Sequence, residues 1–392
     1  MTRIGFAYNL KPAAGCPPPA VPGEADVPPA EEEPPSRRDA RQGATATATT
    51  AAPVSDVYAE WDSPETIDAV ARALAPLGAV VRLEADAGFP EQLRRERPDI
   101  VFNIAEGLHG VNRESHVPAI CEFFGVPYSG SDPFTLALCL DKARTKETLE
   151  YHGIPTAPFR LVHDAAALAA VVAQLRSGPR APDVGGTGAR ALGGFPLFVK
   201  PLHEGSSKGI TERSFCRTPD ELRTAAGFLL ERYQQPVLVE AYLPGAEFTC
   251  AVLGNGAAAR VLPVVGINFA VLPDGALPVY GYEAKWLWDR PERPLDMFAC
   301  PAPISAALAA ELERVTLAAY RVLGCRDWAR VDVRLDAAGV PNVIEVNPLP
   351  GILPDPAGNS CFPKAARAAG MTYDDLIQAC LRAAAVRQVV RL

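Results

Sequence analysis

Apolar and polar positions alternate along this chain with two different periods. Residues 3–8, "RIGFAY", read as a strand, and residues 63–78, "SPETIDAVARALAPLG", carry a helical spacing. Ser63 stands at the N-cap of that helix, Pro64 at its first position, and Glu65 and Thr66 in its first turn. Two more strands, "AVVRLEA" (79–85) and "DIVFNIAEG" (99–107), alternate with helical segments. Such alternation is the signature of a parallel α/β unit.

"GVPYSGSD" (125–132) marks a boundary, after which "PFTLALCLDKARTKETLEYHG" continues as helix through a break near Asp141. "FPLFVKP" (195–201) predicts a strand ending in Lys200, and "ITERSF" (210–215) another short one. Thr218, Pro219 and Glu221 have the spacing of a capping box opening the helix "PDELRTAAGFLLERY". Near the C-terminus, "WARVDVRL" and "PNVIEVN" alternate on either side of the turn residues "DAAG" and read as a hairpin. Period two places Arg330, Asp332 and Arg334 on one face and Glu345 with Asn347 on the matching face, with valine and isoleucine opposite.

Two stretches break the pattern. Residues 12–53 are dominated by proline, alanine, glutamate and threonine, too poor in apolar surface to order themselves, and are expected to be a disordered insertion. "SGPRAPDVGGTGARALGG" (177–194) reads as a solvent-facing loop.

Composition narrows the classes. A chain of 392 residues, 48% hydrophobic, can bury the cores of two or three domains. Its formal net charge of -8 argues against a nucleic-acid or anionic-membrane binder. Any phosphate must therefore be held by local charge. The N-terminal apolar run is too short for a signal peptide, and no window approaches about 18 unbroken apolar residues, so the protein is expected to be cytoplasmic. Nine scattered cysteines without a C-x-x-C pair read as reduced, mostly buried small hydrophobes.

The segment "HEGSSKG" (203–209) raises the question of chemistry. It lies between strands, whereas a Walker A loop runs from strand to helix and ends G-K-[ST]; here Lys208 precedes Gly209 and Ile210. "GSSKG" matches a nucleophile elbow in letters only. On the hairpin, Asp332, Glu345 and Asn347 offer hard oxygen donors of the kind magnesium shares with substrate phosphates, although an exposed face laced with salt bridges would use the same residues. Lys142 at a helix start, Lys200 at a strand end and Lys285 in "YEAKW" are placed as a nucleotide site would need them, while each alone reads as a solvated lysine.

Taken in order, "VFNIAEG", "GVPYSGSD", "LDKARTK", "FVKPLHEGSSKGI", "VLVEAYLPGAEFTCAVL", "YEAKW", "ARVDVRL" and "VIEVNPLPG…NSCFPKAARAAGMTYDDLI" resemble the ATP-grasp ligases of the D-alanine–D-alanine ligase family, over roughly residues 97–385. The resemblance implies an α/β ATP-grasp fold of three domains: a Rossmann-like pre-ATP-grasp domain (1–130), a central subdomain (131–236) and a C-terminal subdomain (237–392). ATP would lie between the last two, with residues 267–300 as a lid. It implies Lys142, Lys200 and Lys285 on the phosphates, Glu204 also at the ATP site, Glu240, Ala241, Tyr242 and Leu243 holding adenine, and Glu247 on the ribose. Mg2+ would be held by Asp332, Glu345 and Asn347.

Around the reacting atoms, Arg330 would face the transferred phosphoryl group, the amide of Gly351 would meet an oxyanion, and Ser206 and Ser207 would close over the acyl-phosphate site beside Lys285. Ser360 would grip the acceptor carboxylate. The family's usual state is a homodimer, and its partners are small amino-acid-like substrates rather than nucleic acid or membrane. Lys208 falls where relatives often carry a small apolar residue, so it either adds a charge contact or faces solvent.

The departures lie at the amino-acid end. The family's N-terminal Gly-Gly-x-Ser-x-Glu motif, whose glutamate holds the first substrate's ammonium, has no visible counterpart. Glu106 stands where a histidine is usual, "GVNRESHVPAICE" replaces a Gly-Glu-Asp-Gly element, and Trp286 replaces a tyrosine. Glu106 with Glu114 is placed to take over the ammonium and Arg113 to bind an anionic group; loop-surface charges are the plain alternative. The expected function is an ATP-dependent carboxylate–amine ligase for amino-acid-like substrates, working through an acyl phosphate, in specialised or peptide biosynthesis. A housekeeping D-alanine–D-alanine ligase is the alternative of the same fold. A non-catalytic ATP-binding protein is disfavoured because Arg330, Asp332, Glu345 and Asn347 are all present.

Overall fold

A computed structural model describes residues 1–12, 58–107, 109–176, 192–273, 275–281, 288 and 295–392. Residues 13–53 of the proline-rich stretch, most of 177–194, Lys285, Trp286 and much of the expected lid lie outside the described residues.

The first unit runs β1 (Arg3–Tyr8), α1 (Pro64–Leu74), β2 (Ala79–Glu84), α2 (Phe89–Glu96), β3 (Ile100–Asn103) and α3 (His116–Phe124). Its strands form a parallel sheet in the order β2-β1-β3. Alternation along β1 and β3 sends Ile4, Phe6, Ile100 and Phe102 to one core and Ala7 and Val101 to the other. α1 starts as the sequence requires, with Ser63 Oγ accepting the Thr66 amide and Pro64 in the first turn.

The middle follows as α4 (Pro133–Leu140), α5 (Lys142–Tyr151), β4 (Phe159–Val162), α6 (Ala165–Arg176), β5 (Leu197–Pro201), β6 (Phe215–Cys216), α7 (Pro219–Tyr233) and β7 (Val237–Ala241). The break at Asp141 is present: its carboxylate caps α5 by accepting the Arg144 amide. The sheet is antiparallel, order β4-β7-β5-β6. Two expectations shift here. Of the expected strand 210–215 only Phe215 pairs, together with Cys216 just beyond it, because Thr211 and Ser214 bond each other's backbone amides around a 3-10 turn. Glu221 bonds the amide of Arg217 rather than closing the capping box on Thr218.

The remainder is β8 (Glu247–Leu253), β9 (Arg260–Val261), β10 (Val265–Ile267), β11 (Phe298–Ala299), α8 (Ala306–Val322), β12 (Trp328–Leu335), β13 (Pro341–Asn347), α9 (Cys361–Ala368) and α10 (Tyr373–Gln388). These strands form a second antiparallel sheet, order β11-β10-β8-β12-β13, with β9 on β8. The expected boundary between 236 and 237 falls before β7, whose pairing carries the middle sheet on to Ala241. At the other end of that segment, α4 and α5 bury Cys139 and Leu149 in the core under the last sheet.

The units meet in shared cores. Trp328, fully buried, packs tilted against Phe102 with ring centroids 5.2 Å apart and edge-on to Phe362 at 5.8 Å. Beside it Asp327, also fully buried, accepts from the Gly130 amide at 2.9 Å, from Asn255 Nδ2 at 2.7 Å and from Arg387 Nη2 at 2.8 Å. One carboxylate thus ties the loop after α3, the turn after β8 and the C-terminal helix. Removing one partner of such an ion leaves charge stranded, so Arg387→Ala should cost about 3 kcal/mol in urea unfolding. A loss under about 0.5 kcal/mol, the range of a neutral surface change, would show that Arg387 is not what keeps Asp327 buried.

Candidate active site

A cavity of about 440 Å³ opens where the three sheets converge. Its floor is the hairpin β12–β13, in which Arg330 faces Asn347 and Asp332 faces Glu345 in register. A bulge between Asp332 and Val333 adds Ile344 to one strand, so Ile344 joins Glu345 on the cavity side and Val343 turns into the core. Strict alternation assigned these two the other way.

The charges are paired with one another. Arg330 Nη2 lies 2.9 Å from Asp332 Oδ2 and its Nε 3.1 Å from Oδ1, while Thr249 Oγ1 donates to the same carboxylate at 2.9 Å. Asn347 Nδ2 donates to Asp332 Oδ2 at 3.3 Å, which leaves the amide oxygen of Asn347 free of that bond. Lys142 Nζ is 3.2 Å from Glu345 Oε1 and 2.6 Å from the Glu204 carbonyl. Burial works against ionisation of Glu345, but Lys142, Lys200 and Arg330 outweigh it and hold the carboxyl below its ordinary range. Asp332, Glu345 and Asn347 thus present hard oxygen atoms on one sheet face, a donor set suited to magnesium. Among the described residues no three His, Cys, Asp or Glu side chains gather into a metal cage.

At the second end Glu240 sits between Lys200, 2.8 Å from Oε1, and Lys146, 2.9 Å from Oε2. Burial alone would raise the Glu240 carboxyl, yet the two ammonium groups win and take it to about 2. Past Glu240 the chain leaves β7 through Ala241, Tyr242 and Leu243 along the cavity wall. Arg334 bridges Tyr242 Oη and Glu247 Oε2, each at 2.8 Å. Burial keeps the Glu247 carboxyl above its ordinary range in spite of that pairing.

The glycine-rich segment 203–209 forms one side. Ser206 and Ser207 both adopt left-handed backbone, φ 50° and 60°, a strained choice for residues with a Cβ. Ser207 Oγ donates to the Tyr280 carbonyl at 3.0 Å, joining this loop to the described edge of the 267–300 segment. Opposite, Ser360 caps α9 without bonding its amides; its hydroxyl donates to the Gly351 carbonyl at 2.7 Å.

The first-unit end is rich in carboxylates. Glu60, Asp62, Glu106 and Glu114 all line it. Burial pushes Asp62 and Glu114 up to about 7 and Glu106 well above its ordinary range, with the neighbouring carboxylates adding to the effect on Glu106 and Glu114. Glu60 stays low: burial opposes it, but Arg113 and Lys208 prevail.

The cavity therefore gathers Lys142, Lys200, Ser206, Ser207, Glu240–Leu243, Glu247, Arg330, Asp332, Glu345, Asn347, Gly351, Ser360, Glu106 and Glu114. Two expected site residues do not line it. Glu204 turns its carboxylate to Lys208 and to Gln235 Nε2, because those donors lie behind the loop. Arg113 points its guanidinium to Glu60 and to the His203 carbonyl, away from the cavity wall. Lys285 lies outside the described residues. Three residues, Lys146, Glu60 and Asp62, carry no motif that marks them in the sequence. Lys146 follows Lys142 by one helical turn, and that spacing was the available signal. Glu60 follows the proline-rich stretch, which hides its relation to β1.

Strand order, paired lysines around a buried glutamate and an Asp-Glu-Asn hairpin define an ATP-grasp enzyme. A family model described as D-ala D-ala ligase C-terminus matches residues 184–382. A D-alanine–D-alanine ligase of Cupriavidus taiwanensis is 36% identical over 286 residues, 73% of this chain and 76% of the relative. An uncharacterised protein of Sinorhizobium fredii is 35% identical over 331 residues, 82% and 88% of the two chains. The crystal structure of D-alanine–D-alanine ligase from Bacillus anthracis complexed with ATP superposes with a TM-score of 0.62 at 21% identity, covering 99% of each chain. The chain belongs to the D-alanine–D-alanine ligase family, and it is an ATP-grasp ligase that forms an amide bond. No helix among the described residues is long and apolar enough to cross a membrane.

The raised Glu114 carboxyl has a measurable consequence. Folding raises its pKa, so between its unfolded value and about 7 the native state holds the proton longer, and stability falls as pH rises through that window. Glu114→Gln should be more stable than the wild type by on the order of 2 kcal/mol near pH 8 and differ little near pH 5 in thermal unfolding. An equal difference at both pH values would show that Glu114 is not held protonated by burial.

Proposed function

We propose that the protein joins two amino-acid-like substrates, other than a pair of D-alanines, with consumption of ATP in specialised or peptide biosynthesis. The observation that carries this reading is the contrast between the two ends of one cavity. The lysine and hairpin end gathers Lys142, Lys200, Arg330, Asp332, Glu345 and Asn347, whereas the first-unit end is lined by carboxylates, three of them with raised pKa.

In the proposed reaction an oxygen of the donor carboxylate attacks the γ-phosphorus of ATP, the bond to ADP breaks, and an acyl phosphate forms. The acceptor ammonium first gives a proton to solvent and its neutral nitrogen then attacks the acyl carbon; phosphate leaves with the bonding pair and takes the second nitrogen proton, and an amide remains. Lys142 and Lys200 neutralise the phosphate oxygens, and Glu240 keeps Lys200 charged and aimed. Glu240 to Leu243 hold the adenine and Glu247 the ribose. Asp332, Glu345 and Asn347 would hold Mg2+, which would supply further charge neutralisation at the phosphates.

Arg330 faces the phosphoryl group and then the tetrahedral intermediate, whose oxyanion the Gly351 amide meets. Ser206 and Ser207 close over the acyl phosphate, and Ser360 grips the acceptor carboxylate. In the structure the charged members are paired among themselves, Lys142 with Glu345 and Arg330 with Asp332. Phosphates and the magnesium ion would exchange for those partners, so the charges stay buried and compensated throughout. The donor's ammonium goes to the carboxylates of Glu60, Glu106 and Glu114. The protein works in the cytoplasm as a homodimer, in keeping with the family's usual state.

A second reading, the housekeeping D-alanine–D-alanine ligase, is favoured by the 36% identity to a relative of that name. Phosphate release from Mg–ATP with a panel of D- and L-amino acids separates the two: the reading expects the fastest release with a pair other than two D-alanines. Strong release confined to D-alanine would establish the housekeeping reading instead. With the best pair, Arg330→Ala should lower kcat by about 100- to 1000-fold, the size expected for a lost oxyanion donor. Near-native turnover would remove Arg330 from the mechanism.

A further inference from the structure

Lys208 has no part in the reaction as read above, and it is neither on the cavity wall nor in solvent. It lies in the glycine-rich loop, 6% exposed, with Nζ 2.9 Å from Glu60 Oε2 and 2.5 Å from Glu204 Oε2. Glu60 comes from the segment before α1 and packs directly on the loop, since a Cβ at Gly205 would run into Glu60 Oε1. On its other side Arg113, from the loop after β3, places Nη2 3.2 Å from both Glu60 oxygens and Nη1 3.0 Å from the carbonyl of His203, where the loop begins. Two cations and two carboxylates therefore stitch the loop to the first unit. In such a buried place each ion depends on its partners. Burial disfavours the Lys208 ammonium, but Glu60 and Glu204 more than restore it, so the contact is ionic.

Glu60 has two faces. One lines the cavity at the first-substrate end, and the other is held by Lys208. We propose that Lys208 is a positioning residue which, through Glu60, couples the closed state of loop 203–209 to the first-substrate end of the cavity. This rests on the reading of the loop as the closure over the ATP phosphates. A loop that closes fixes Glu60 for the donor's ammonium, and a fixed Glu60 holds the loop over the phosphates; linkage makes the effect equal in both directions. A small apolar residue at 208 would leave Glu60 to Arg113 alone and loosen that connection.

The full-length protein tests this without an identified amino-acid substrate, using amide hydrogen exchange of residues 205–209 in the unliganded protein and calorimetric titration with Mg–ATP. In the unliganded protein, Lys208→Met should speed exchange of these amides by about tenfold, and in the titration it should weaken Mg–ATP by about three- to tenfold, while core amides stay protected. In a Glu60→Gln background, itself faster in the loop, adding Lys208→Met should change either quantity by less than about twofold. Lys208→Arg, which keeps the charge, should recover most of the protection. Unchanged loop exchange in Lys208→Met, or the same loss with and without Glu60, overturns the coupling. If the wild type fails to bind Mg–ATP, the ligase reading falls, and the exchange measurements still decide whether Lys208 and Glu60 hold the loop.

Discussion

Glu240 is held between two ammonium groups, Lys146 and Lys200, in a place shielded from solvent, and the architecture of the site follows from that clamp. A lone carboxylate there would take up a proton, and lone lysines would lose theirs. Together, the Lys200 pKa is raised and that of Glu240 lowered, while burial lowers that of Lys146, and the three groups fix three elements at once: α5, which carries Lys146; β5, which carries Lys200; and β7, which carries Glu240. Lys142 sits one turn before Lys146 on the same helix, so the clamp also sets the ammonium that meets Glu345 on the hairpin. A chain of charge pairs thus runs from the middle sheet to the last one.

Function grows from the fact that this chain of pairs borders an open cavity. Buried ions that compensate each other can exchange partners with an incoming polyanion and its cation at little electrostatic cost, whereas unpaired ions would have destabilised the fold before any ligand arrived. The first-unit end of the cavity obeys a different balance. Its carboxylates outnumber nearby cations, and burial holds Asp62 and Glu114 near 7. Such a surplus suits a cationic group on the substrate, while Lys208 and Arg113 reserve Glu60 in the charged form and hold it against the glycine-rich loop.

Much of this was legible in the sequence, for identifiable reasons. Hairpin residues Arg330, Asp332, Glu345 and Asn347 converge because period two and a short turn dictate it, although the bulge that moves Ile344 to the cavity face left no mark in the pattern. The capped start of α1 and the break at Asp141 were readable because capping is local chemistry. Antiparallel pairing in the middle sheet was not readable, since alternation of strands and helices says nothing of strand direction, and β7 joined that sheet from beyond the expected boundary. Partners set by tertiary packing were hidden most deeply. Arg113 and Glu204 are directed away from the cavity by Glu60 and Lys208, residues whose proximity depends on bringing together opposite sides of the first unit and the loop.

The central claim is that this cavity phosphorylates a carboxylate and hands the acyl group to an amine. Hydroxylamine tests it most directly, because it is an amine that captures an acyl phosphate as a stable hydroxamate. With Mg–ATP and the amino acid that best supports phosphate release, the account predicts one hydroxamate for each ADP formed, and none without ATP or the amino acid. ADP formation that proceeds at full rate in hydroxylamine while no hydroxamate appears would contradict an acyl phosphate at this site.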